Sequence, residues 1–201
     1  MKRLFIILLF LPVFSIAQEY TKIVEVPGKS VDKLYVTARE WFAMAFKSAN
    51  NVLQMDDPVA GKLIGKGSTL IDETFTAGLA KIPYTIHFNV DFAVIVSLKE
   101  SKYKCDIVDI FIAPSFSDGS STVKKSYTEL LSQKEYFKNG SDPDWLVEHG
   151  SPTGQRIGRM LAKTTAEANK CYLKFFDDFD SKINGIMNSL EVKMKKQEDN
   201  W

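Results

Sequence analysis

The residues able to do most protein chemistry are sparse in this chain, and their spacing supports little of it. Two histidines and two cysteines occur in 201 residues. His87 and His149 lie far apart, and no Cys/His spacing matches the short paired spacings that hold zinc. Asp142 and Asp144 alternate as carboxylates do at the start of a calcium loop, but the remaining oxygen ligands do not follow. Gly61-Lys62-Leu63-Ile64-Gly65-Lys66-Gly67-Ser68 has the composition of a phosphate loop. Such a loop needs Gly-Lys-Ser/Thr at the mouth of a helix, so that backbone N–H groups converge on phosphate. Lys66 stands where the second glycine belongs and the surroundings read as a hairpin, so these glycines serve strand curvature or close backbone approach. A serine nucleophile needs a strained elbow, and no Gly-x-Ser-x-Gly is present; His149, beside Glu148 and Ser151, reads as a loop residue rather than a base. No catalytic, cofactor-binding or metal-ligating residue is assigned, and the chain is expected not to be an enzyme.

Cys105 and Cys171 both sit in apolar surroundings. Two outcomes stand open. One is a disulfide joining the last strand to the C-terminal helix, worth about 3 to 5 kcal/mol if unstrained. The other is a pair of buried, unreactive thiols.

The elements that must position these groups follow from periodicity. Residues 22–27 read as a strand stopped by Pro27-Gly28. Ser30 then N-caps a helix whose apolar residues Val31, Leu34, Ala38, Trp41, Phe42 and Ala45 recur at helical spacing, as far as Asn50-Asn51. Strands over 52–55 and 62–75 flank a turn at 56–61. From Tyr84 to Leu98 every second residue is apolar, with Thr85, His87, Asn89 and Asp91 between them, which predicts a long antiparallel strand with one buried face. The polar set is the candidate interaction surface. In 103–112 the apolar parity shifts, which a bulge near 107–109 would reconcile. Residues 114–154 turn to Ser, Gly, Asp and Lys and read as an insertion, with a short helix in 127–137 and an aromatic anchor at Trp145 that joins the candidate surface. A long helix from Gln155 carries an apolar stripe including Cys171, Phe175, Phe179, Ile183 and Leu190, and its charged end, 193–201, is expected to fray.

The first seventeen residues have the form of an export signal: Lys2-Arg3, an apolar run from Leu4 to Phe14, then Ser15-Ile16-Ala17. The run is short for a bilayer span and no second one follows, so no transmembrane anchor is expected. Residues 18–201 then form one α+β domain in a periplasmic or extracellular compartment. Lys and Arg total 26 against 25 acids, and without Lys2 and Arg3 the balance is 24 to 25. A near-neutral chain argues against a polyanionic partner.

The order strand, helix, four strands, helix implies a two-layer α+β fold, a curved antiparallel sheet with two helices on one face. Val26-Pro27-Gly28-Lys29-Ser30, Trp41-Phe42, Gly61 to Gly67 and Lys102-Tyr103-Lys104 resemble a family of exported Bacteroidetes proteins, domain of unknown function 4468, with a TATA-binding-protein-like fold. The resemblance covers residues 19–113 and implies a fold and a compartment, with no catalytic residue and no cofactor. It does not carry DNA binding with it: a DNA-bending saddle needs two repeats and a basic concave surface, and this chain has one repeat and no net basic charge. The expected function is non-enzymatic binding of a protein partner or self-association, with no nucleic acid. The alternative is carriage of an apolar small molecule between the sheet and the C-terminal helix, suggested by an aromatic content of 12%.

Overall fold

In a computed structural model, described for residues 20–46, 52–78, 80–117, 119, 121–139 and 152–196 (backbone only for 152–162), the two-layer α+β arrangement is realised. The elements are β1 (Tyr20–Glu25), α1 (Val31–Ala45), β2 (Leu53–Asp57), β3 (Lys62–Ala77), β4 (Ile82–Lys99), β5 (Lys102–Phe116), β6 (Lys125–Ser126), α2 (Tyr127–Ser132), α3 (Lys134–Asn139) and α4 (Pro152–Lys195). The sheet runs β1-β5-β4-β3-β2, with β6 also on β5, and every pairing is antiparallel.

Local chemistry sets the joints. The Ser30 side chain accepts from the Lys33 N–H at the start of α1, which buries Leu34, Ala38, Trp41 and Phe42. Between β2 and β3 the Asp57 carboxylate accepts from the N–H groups of Val59 and Ala60, an Asx-type turn. The β3–β4 register holds without a shift from Lys62↔Ser97 to Ala77↔Ile82. In β5 the predicted bulge is present: the pairing jumps between Asp91↔Phe111 and Ala93↔Val108, and Asp109 takes a positive φ of 53°. The extra residue swaps the parity, so that Tyr103, Cys105 and Ile107 share the buried face with Ile110 and Ile112.

That face is the core. β4 contributes Ile86, Phe88, Val90, Phe92, Val94 and Val96, and α4 contributes Phe175, Phe179, Ile183, Leu190 and Met194. Phe175 stacks on Phe88 at 4.3 Å between ring centroids. The insertion joins the helical layer, with Tyr127 stacked on Phe179 and Phe137 on Tyr172.

Three expectations change. The single helix expected in 127–137 is two short ones, broken at Gln133, whose N–H caps Leu130. The C-terminal helix begins at Pro152 instead of Gln155. The helix end does not fray at 193: it continues to Lys195, Met194 is fully buried, and the Lys29 ammonium donates to the carbonyls of Met194 and Lys196. The cationic side chain closes the helix C-terminus, which its charge alone could not reveal from sequence. Of the two outcomes open for Cys105 and Cys171, the structure has the free, buried thiols. The reason is distance along α4: Cys171 sits beside Glu73, whereas Tyr103 and Cys105 lie near Glu191 and Lys22, and twenty helical residues span about 30 Å. The signal-like segment, Asp142, Asp144, Trp145, His149 and 197–201 lie outside the described residues.

Candidate interaction surface

The helices reach the sheet through one face, by Phe88 and Phe92, Tyr20 and Lys22, and Glu73. No described helix lies on the other, so alternation along β4 delivers Thr85, His87, Asn89 and Asp91 to an open surface together. Each is already engaged sideways. The Thr85 and Thr74 hydroxyls share a hydrogen bond at 3.2 Å, and His87 Nδ1 lies 2.8 Å from Asp72. Asn89 donates to the Ala113 carbonyl. Lys124, from the insertion, pairs with Asp91 at 2.7 Å and lies over the Phe111 ring. These groups tie neighbouring strands together and leave a surface of balanced charge.

Polar residues are only half of this surface. Ile23, Met55, Leu70 and Phe111 are exposed on the same face, and Met55, Ile64 and Ile95 form a cross-strand row, with Ala93 beside Val108. The sequence reading missed this apolar set. Its signal was present in Leu70 and Phe111, which occupy positions where the alternation calls for polar side chains.

One lateral edge of the sheet is also open. β2 pairs with β3 only as far as Leu53↔Gly65, and on that side no described strand accompanies β3 from Lys66 to Ala77. A groove of about 710 Å³ runs between this edge and α4, lined by Thr69, Leu70 and Ile71 on one side and Ser181, Gly185 and Ser189 on the other. At its end Glu73, buried on the core face, accepts from Lys174 at 2.7 Å, and that contact holds the ammonium above its ordinary pKa. Gly65 and Gly67 are required by packing: a Cβ would come within 2.5 Å of the Phe42 ring at Gly65 and within 2.5 Å of Phe92 at Gly67. The segment resembling a phosphate loop is a strand pressed against aromatic rings.

The perturbed titrations follow burial more than any reactive pairing. Burial pushes the Cys105 thiol up to about 12, and raises Cys171 as well, which leaves both as poor nucleophiles. Tyr127 is pushed up to about 12 by burial. Tyr35 also rises to about 12, through burial and then its hydrogen bond to Asp56. Burial works to raise the Asp56 carboxyl, but hydrogen bonds from Tyr35 and Arg39 and the Arg39 charge outweigh it and hold the group low. Hydrogen bonds from Lys195 and Lys22 do the same for Glu191. Among the described residues no helix is long and apolar enough to cross a membrane.

This architecture has counterparts. The family model described as a domain of unknown function (DUF4468) with a TBP-like fold matches residues 20–112. Over those residues the chain is similar to this family. A crystal structure of a DUF4468 family protein from Bacteroides ovatus is 15% identical, with a TM-score of 0.50 over 92% of this chain and 90% of that one. A TBP-like protein from Parabacteroides distasonis is 8% identical, with a TM-score of 0.41 over 86% of this chain and 92% of that one. No curated protein matches the sequence. The matched span ends inside β5, so the insertion and α4 lie outside it, and α4 nonetheless adds Phe175, Phe179, Ile183, Leu190 and Met194 to the core that those strands build.

Proposed function

We propose that the protein is exported to the bacterial envelope and acts there without catalysis, by binding a macromolecular partner across the open face of its sheet. The observation that carries this is the exposure of Ile23, Met55, Leu70 and Phe111 on one face that no described helix covers, amid polar groups already engaged with one another, Asp91 with Lys124 and His87 with Asp72. A surface of that kind loses apolar area to a partner without stranding unpaired ions. Export rests on the form of residues 1–17, and the compartment on that form together with the family's source organisms. The carrier reading is weaker, because the Phe88–Phe175 and Tyr127–Phe179 stacks occupy the space between sheet and helices where the ligand would sit.

The test is affinity capture from periplasmic extract with the parent protein and with Phe111→Asp and Ile23→Asp. Both variants should keep the parent's circular dichroism and lose the captured species. Undiminished capture by both would refute the assignment to this face.

A further inference from the structure

We propose that the free edge of β3 pairs with β3 of a second copy of this chain, antiparallel, about a two-fold axis at Thr69. This edge is separate from the open-face reading and stands or falls without it.

The direction of the backbone groups comes first. The Leu98 N–H donates to the Gly61 carbonyl at 2.8 Å, and β3 continues from there against β4 with no register shift. Because hydrogen bonding alternates along an antiparallel strand, the odd-numbered residues of β3 aim their backbone groups at β4 and the even-numbered ones aim outward. At Lys62 and Ile64 the outward groups meet β2. From Lys66 onward they meet no described strand.

The register comes from charge. Pairing an edge with its own copy places residues equidistant from the axis opposite each other, and they must share a face, so the axis passes through a whole residue. Centred on Thr69, Lys66 faces Asp72 of the second copy and Ser68 faces Leu70, twice over by symmetry. All four are outward-pointing residues, which gives about eight new backbone hydrogen bonds. Centred on Asp72 the same edge would set two carboxylates against each other, and centred on Leu70 or Ile71 it would leave Lys66 opposite threonine. Lys66 makes no ion pair among the described residues. On the helical side of the groove Asp178, 3.7 Å from Lys174, and Lys182, which makes no ion pair among the described residues, lie one turn apart on α4, so antiparallel helices approaching across the axis would bring opposite charges together. An isologous contact of this kind closes on itself and leaves no further β3 edge exposed.

Sedimentation velocity of residues 18–201 over a wide concentration range tests it. A monomer–dimer equilibrium is expected. Lys66→Asp should weaken it at least about tenfold by opposing like charges at both symmetric pairs, and the swap Lys66→Asp with Asp72→Lys should restore it to within about threefold. Leu70→Pro removes an outward N–H without touching the β4 ladder, and should abolish the dimer while the monomer keeps its circular dichroism. A strict monomer at every concentration overturns the proposal. So does a dimer that is indifferent to Lys66→Asp, or one that the charge swap fails to restore.

Discussion

Replacing Phe175 with Ala should destabilise the protein more than any single change on its surface. Phe175 is fully buried, its ring stacked on Phe88 at 4.3 Å with an interplanar angle of 20°, and it touches Phe176 and Phe179 at 5.6 and 5.5 Å. The truncation removes a ring that α4 presses into the centre of the sheet, and neighbours held by their own backbones collapse only partly into the void. Such deletions cost about 3 to 5 kcal/mol, against a total stability of about 5 to 15 kcal/mol for a domain. In a chain of this size each kcal/mol lowers the melting temperature by about 2 to 4 °C, so a fall of about 10 °C is expected. Urea unfolding followed by tryptophan fluorescence is the assay, since buried Trp41 donates from its indole N–H to Ser189 on α4 and reports the same interface. Lys163→Ala, on the exposed side of the same helix, is the control and should move the midpoint by almost nothing. Equal midpoints for Phe175→Ala and the parent would refute the packing of α4 on β4, and with it the two-layer fold.

Lys29→Ala should cost about 1 to 2 kcal/mol by freeing the carbonyls of Met194 and Lys196, with amide exchange speeding up in the last turn of α4 before any other part of the helix. Gly67→Ala should cost about 1 to 3 kcal/mol, because its methyl group would lie 2.5 Å from the Phe92 ring; an unchanged melting temperature contradicts that contact. Thiol titration should find no reactive group in the native protein at pH 8 and two after denaturation, even in material from the periplasm; a thiol-free denatured chain would restore the disulfide. Stability should fall on both sides of neutrality. Asp56 and Glu191 titrate below their unfolded values, so their contribution is present above about pH 4 and is lost as the pH falls through the folded values. Cys105, Tyr35 and Tyr127 titrate above theirs, so their contribution is full below about pH 9 and is lost as the pH rises toward 12.

Features that depend on neighbours in the chain were legible before any fold was known. Period-two alternation from Tyr84 to Leu98 was enough to assign β4, its buried face and the open position of Thr85, His87, Asn89 and Asp91, because side chains on a strand must alternate. The parity shift after Ile107 was enough to place the bulge, and the helical spacing of Phe175 and Phe179 to orient α4. The tertiary structure decided what depends on residues far apart. It separated Cys105 from Cys171 by about twenty residues of α4, although both belong to one core. It turned the polar row into paired groups, since Asp72 and Lys124 arrive from β3 and from the insertion. It brought Ile23, Met55, Leu70 and Phe111, from four different strands, onto one face that no described helix covers, and left the side of β3 away from β4 without a described strand past Gly65, because β2 is only five residues long. Pattern along a chain reports which face of an element is buried. Which face and which edge remain open is settled only when the elements have chosen their partners.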